Sequence, residues 1–185
     1  MAVSADTLRL HIDYTAWASR RLVDAAAHLA PEERERDFGT ADGSILNTLA
    51  HVFASERVWL ARLQQSAPAE FVTDADRRFD VLEHEWPRLH QRWKDWASAL
   101  TDESCQLPVT YTDLKGNQYT QPLWQPILHV VNHGTHHRGQ VSGFLRSLGY
   151  TPPPTDLVFF YRLLSQNKSG SRVVSVHRWG RSALD

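Results

Sequence analysis

The chain has 185 residues, a formal net charge of −1, a pI near 6.8 and one cysteine. That length suits one domain with a substantial core, and the balanced charge offers no basic surface for nucleic acid or an acidic membrane. Cys105 alone forms neither an intrachain disulfide nor a thiolate metal cluster; no apolar run approaches the roughly 18 residues of a membrane span. Asp6, Arg9, His11 and Asp13 interrupt any secretory leader, so the expectation is a soluble protein of the reducing cytoplasm.

Taken in chain order, Leu8, Ile12, Trp17, Leu22, Val23 and Leu29 recur near a 3.6-residue period and predict a first helix over 6–29, with Ser4 or Asp6 as N-cap. Pro31 and the charged stretch after it end that helix. The Asp42-Gly43-Ser44 turn offers Ser44 as N-cap to a second helix, whose stripe of Ile45, Leu49, Val52, Phe53, Leu60 and Leu63 runs out near Ala67-Pro68. A third helix is predicted over 73–100 from Phe79, Leu82, Trp86, Leu89, Trp93 and Trp96, with Pro87 kinking or breaking it at Trp86. Between Leu107 and Gln121 the period shifts towards two, around Leu114-Lys115-Gly116-Asn117, which predicts a short β-hairpin. A fourth helix opens after Pro122 or Pro126 and runs to Leu148, where Gly149 supplies the cap. A short helix over 155–164 follows. Residues 1–165 read as a single all-α domain with the hairpin between helices 3 and 4, and 166–185 as a polar tail, either partly disordered or an arm on another subunit.

The fourth helix carries His129, His133, His136 and His137 within nine residues. On a helical wheel His133 and His137 lie four apart on the stripe that also holds Val130, Val141 and Phe144. An unpartnered buried imidazole costs on the order of 1–3 kcal/mol, and two on one stripe double that liability. Two readings are open from this pattern: hydrogen-bonded core histidines, or a pair of ligands to one cation. His51 in the second helix interrupts an apolar stripe in the same way and is the best third ligand. Three neutral imidazoles leave a divalent ion with open positions, where a water or thiol nucleophile is activated. His129, Asn132 and Arg138 are candidates for supporting the ligands by hydrogen bonds, with His136 at the surface. Glu56, five residues after His51, is read as an arginine partner ahead of a general base. His28, His84, His90 and His177 fall in polar or irregular stretches.

The sequence Tyr14-Thr15-Ala16-Trp17-Ala18-Ser19-Arg20-Arg21-Leu22, His51 with Glu56-Arg57-Val58-Trp59-Leu60, and Val131-Asn132-His133-Gly134-Thr135-His136-His137-Arg138-Gly139-Gln140-Val141 together resemble the DinB-like (damage-inducible) family, which includes the bacillithiol-transferase-like proteins. The resemblance spans about residues 6–163. It implies a four-helix bundle with a long crossover connection, a homodimer, and a divalent metal held by His51, His133 and His137. Thr15 and Ser19 stand where the family often has asparagines. Related proteins with this fold use the metal to activate a low-molecular-weight thiol for S-transfer or isomerisation.

The leading functional expectation is therefore a metal-dependent enzyme, with Zn²⁺ or Ni²⁺ at His51, His133 and His137, that activates a thiol or water nucleophile towards a small-molecule substrate. The rival is a non-catalytic dimeric bundle whose metal is structural or sensing. A third reading has no metal and a pH-sensitive histidine cluster.

Overall fold

A computed structural model of the chain describes residues 3–168. In order along the chain come α1 (Ala5–Ala27), α2 (Pro31–Glu35), α3 (Ile45–Leu63), a 3-10 turn (Ala75–Arg77), α4 (Phe79–Ser98), α5 (Asp102–Gln106), β1 (Pro108–Thr112), β2 (Gln118–Pro122), α6 (Trp124–Ser147) and α7 (Leu157–Lys168). The four long helices α1, α3, α4 and α6 form the bundle. Helices α1 and α3 each pack on both α4 and α6, so α1 lies diagonally from α3 and α4 diagonally from α6. The chain consequently crosses the bundle twice, through residues 28–44 and again through 99–123. None of the described helices is long and apolar enough to cross a membrane.

The predicted caps are present. Ser4 Oγ accepts from the Thr7 N–H at 3.2 Å and Ser44 Oγ from the Asn47 N–H at 3.1 Å, contacts worth about 1 kcal/mol each. At the end of α6, Gly149 takes φ +83° and the Tyr150 N–H reaches back to the Leu145 carbonyl at 2.9 Å, a left-handed turn that a side chain would strain. In the hairpin, Tyr111 pairs with Tyr119 and Thr110 with Thr120. Asp113 Oδ1 accepts from the Lys115 and Asn117 N–H groups at 2.8 and 2.9 Å and closes the turn.

Several features differ from the sequence pattern. Pro87 does not break α4; it lies on the exposed face of the helix, away from the packed core. The helix begins at Phe79 and not at residue 73, because Asp76 holds the preceding segment in a 3-10 turn of its own. Short helices α2 and α5 are additional; α2 starts on Pro31 with Glu33 Oε2 accepting from the Ala30 N–H at 3.0 Å, and α5 is capped by Thr101. Helix α7 covers Leu157–Lys168, later than the 155–164 expected, and is pinned by Phe160 against Tyr14 and Trp17, with ring centroids 5.9 and 5.5 Å apart. The tail from 169 onward, including His177, lies outside the described residues.

One core uses residues from all four long helices, among them Leu8, Leu22, Leu49, Trp86 and Leu145. Polar groups inside it are tied to specific neighbours. Buried Asp76 accepts from both terminal nitrogens of Arg57, the Oδ2 contact being 2.8 Å, and from the Thr73 N–H at 2.7 Å. Burial alone would raise the Asp76 carboxyl, but the hydrogen bonds and the charge of Arg57 outweigh it and hold it below the usual carboxylate range. A carboxyl depressed in the folded state contributes stability above its unfolded pKa of about 3.9 and loses it as pH falls through the folded value. Asp76→Asn is expected to cost about 2–4 kcal/mol at pH 7. In urea unfolding, the gap between the parent and this variant should close as the pH is lowered below about 4.

Candidate metal centre

His51 on α3 and His133 and His137 on α6 meet where those two helices pack. Each is placed by helical spacing: His133 and His137 stand one turn apart, and His51 lies beside Val52 and Phe53, which are buried. The three rings converge through one kind of atom. His133 Nε2 lies 3.2 Å from His51 Nε2 and 3.2 Å from His137 Nε2. Nitrogens about 2.0–2.1 Å from one ion at tetrahedral angles are about 3.3 Å apart, so this spacing suits a cation at their centre.

The Nδ1 atoms of His51 and His137 face acceptors. His137 Nδ1 is 2.7 Å from Gln140 Oε1 and 3.5 Å from Asp42 Oδ2, while His51 Nδ1 is 3.4 Å from Asp42 Oδ1. A proton on each Nδ1 leaves the Nε2 lone pairs of His51 and His137 both directed at His133 Nε2. That nitrogen carries at most one proton when neutral and can satisfy one of them. A second proton is disfavoured: burial, then the neighbouring imidazoles His137 and His51, push His133 down to about 3. Burial likewise lowers His137, against the opposing pull of Gln140 and Asp42. A donor set with more inward lone pairs than protons fits a divalent cation.

Asp42 and Gln140 take the supporting role for which sequence reasoning named His129, Asn132 and Arg138. Arg138 is buried elsewhere: Nη1 donates to Ser19 Oγ at 3.3 Å, Nη2 to Thr135 Oγ1 at 2.9 Å, and the group lies 5.2 Å from the Tyr14 ring. Asn132 is exposed. His129 remains near, its ring 5.8 Å from that of His133 and 5.2 Å from Trp59, and His136 is exposed beside His137. Gln140 was readable as the residue three beyond His137; Asp42 was not, since in sequence it is only a turn residue.

Two other expectations are corrected. Glu56 is fully buried and accepts from Trp86 Nε1 at 2.7 Å, with His90 Nε2 2.9 Å from the same oxygen, in place of an arginine partner. His90 is accordingly a core residue.

In front of the imidazoles lies an open cleft of about 420 Å³ that reaches His51 and His133. Phe71 stands edge-on to His51 at 5.3 Å, and Trp59, Arg62, Lys115 and Tyr119 form the walls. The hairpin therefore faces the site.

The DinB family sequence profile matches residues 1–168. The chain belongs to the DinB family. A curated relative, Protein DinB of Bacillus subtilis (strain 168), is 22% identical over 165 residues, covering 85% of this chain and 95% of its own. The crystal structure of a DinB-like protein from Bacillus cereus ATCC 10987 superposes with a TM-score of 0.65 at 17% identity, covering 83% of this chain and 99% of that one. At that identity the likeness shows the shared DinB fold. The all-α bundle with its hairpin and short C-terminal helix is that architecture.

In metal-free protein the His133 imidazole should stay neutral down to about pH 3, against an ordinary value of 6.5. The unfolded chain takes up this proton first, so folding stability falls as the pH drops through that interval. Long-range ¹H–¹⁵N NMR of the ring nitrogens reads the titration directly, and His133→Asn should flatten the stability slope.

Proposed function

We propose that this DinB-family protein is a metal-dependent enzyme that activates a thiol or water nucleophile against a small-molecule electrophile, with His51, His133 and His137 as ligands. One observation carries the reading: the Nε2 atoms of His51 and His137 each lie 3.2 Å from His133 Nε2, Asp42 stands behind the first two, and His51 and His133 open onto a cleft and not onto packed core. A structural site closes its fourth position with protein; a catalytic one leaves it to solvent or substrate. For that reason the cleft favours chemistry over the purely structural or sensing role. A divalent ion held there supplies Lewis acidity, enough to keep a thiol as thiolate or to bring water towards a pKa of about 7.

The protein's own groups do the rest. Asp42 and Gln140 hold protons on the Nδ1 atoms and so fix the ligating tautomer and ring orientation. Phe71 and Trp59 limit water at the mouth of the site and give a substrate apolar walls. Imidazole donors suit Zn²⁺ or Ni²⁺, and a low-molecular-weight thiol is the nucleophile that the family resemblance favours. A homodimer is part of the same reading.

Purified protein should carry about one divalent ion per chain by elemental analysis, and His133→Ala should lose both ion and turnover while remaining folded by circular dichroism. Asp42→Ala should weaken Zn²⁺ binding about 10–100-fold in competition with a chromogenic chelator. Metal-free protein whose His133→Ala variant retains full activity in a screen of thiols against electrophiles would overturn the assignment.

A further inference from the structure

Arg62, on the last turn of α3, occupies the cleft wall. Its guanidinium lies 4.8 Å from the Trp59 ring and 5.8 Å from the Tyr111 ring. Among the described residues it makes no side-chain hydrogen bond and no ion pair, whereas Arg57, five residues earlier, is fully engaged by Asp76 and the Glu70 carbonyl. Asp113 is near enough to act on Arg62 electrostatically, but its oxygens are committed to the hairpin turn, taking Lys115 N–H, Asn117 N–H and Asn117 Nδ2 at 2.8, 2.9 and 3.0 Å. Arg62 is thus held in place by its aromatic neighbours with its donor fork unused.

The position of this fork relates it to the imidazoles. Arg62 touches Trp59, Trp59 touches His129 at 5.2 Å, and His129 touches His133 at 5.8 Å, all along one wall of the cleft that contains His51. A second cleft of about 370 Å³ begins on the other side of Arg62 and shares Val58, Asp113 and Leu114 with the first. A molecule that runs along this wall from His51 and His133 towards the second cleft passes Arg62. A planar guanidinium with free N–H groups matches a carboxylate two bonds at a time; a phosphate would call for further donors, and Lys115, which also lines the cleft, is exposed on the hairpin turn.

We propose that Arg62 is the specificity residue of this site and that the substrate or thiol it accepts carries a carboxylate, bound by Arg62 while the reactive end lies at His51, His133 and His137. This inference rests on the metal-centre reading given above and adds the chemical class of the ligand. Arg62 binds and orients; it takes no part in bond making.

The test uses the full chain loaded with Co²⁺, whose thiolate charge-transfer band reports a bound sulfur. Mercaptoacids with two to five methylenes are titrated against the mercapto-alcohols of the same length. At least one acid should bind about tenfold more tightly than its alcohol, Arg62→Gln should abolish that preference while leaving alcohol binding unchanged, and Arg62→Lys should restore part of it. Equal binding at every length, or a preference that survives in Arg62→Gln because the ion alone attracts the anion, overturns the proposal. If Co²⁺ gives no ligand-field spectrum, the metal-centre reading is the one that fails. The carboxylate site is then decided on metal-free protein by the Trp59 indole N–H resonance: a saturable shift with butyrate, none with butanol and none in Arg62→Gln supports it, and no shift with butyrate overturns it.

Discussion

Asp42 lies 3.4 Å from Nδ1 of His51 on α3 and 3.5 Å from Nδ1 of His137 on α6, so one carboxylate ties together the two helices whose contact builds the site. Its position is fixed by the crossover that carries it. Gly43 takes φ +75°, the Phe38 N–H donates to the Gly43 carbonyl at 2.7 Å, and Ser44 immediately caps α3. Phe38 stacks on Phe144 of α6 at 4.4 Å and holds this loop against the bundle. With both Nδ1 atoms facing acceptors, the lone pairs on Nε2 have one place to point. The first diagonal connection thus sets the electronic state of the imidazoles from behind.

The second diagonal connection acts from the front. A two-stranded hairpin is marginal by itself in water, and here it leans on α3 and the turn that follows it: Tyr111 meets Trp59 edge-on at 4.8 Å and Gln65 Nε2 donates to the Thr110 carbonyl at 3.1 Å. That support places Asp113, Lys115 and Tyr119 over the cleft. Diagonal connections in a bundle must be long, and in this chain both spend their length on the same site, one on its back and one on its entrance.

Deeper in the bundle, several residues that carry the family resemblance serve the frame. Arg138 folds back over Gly134, where a Cβ would stand 2.7 Å from Nη1, and it reaches Ser19 on α1. Glu56 takes the Trp86 indole of α4, and the Glu56 carbonyl takes Trp93 Nε1 at 3.1 Å. Directional bonds of this kind set which turn of α1 and α4 faces α3 and α6, a choice that apolar packing leaves loose, since burying a charge without its partners costs several kcal/mol. Helical register then decides that His51 arrives opposite His133.

The four long helices, the hairpin, the Ser44 cap and the glycine stop of α6 were legible in sequence, and the cap of α1 down to Ser4 or Asp6, because period, capping and turn chemistry are local properties of a few neighbouring residues. The pairing of His133 with His137 was legible for the same reason, since four residues make a little over one turn. His51 was a weaker inference that rested on one polar ring in an apolar stripe. Pro87 misled because a helix tolerates proline on its wet face, and which face is wet depends on what packs against it. Glu56 and His90 misled because burial on α3 and α4 is decided by their contact with each other. Asp42, the unpaired fork of Arg62 and the cleft came only from the tertiary structure: each depends on groups tens of residues apart whose approach is set by the diagonal crossings, and no local pattern encodes that distance.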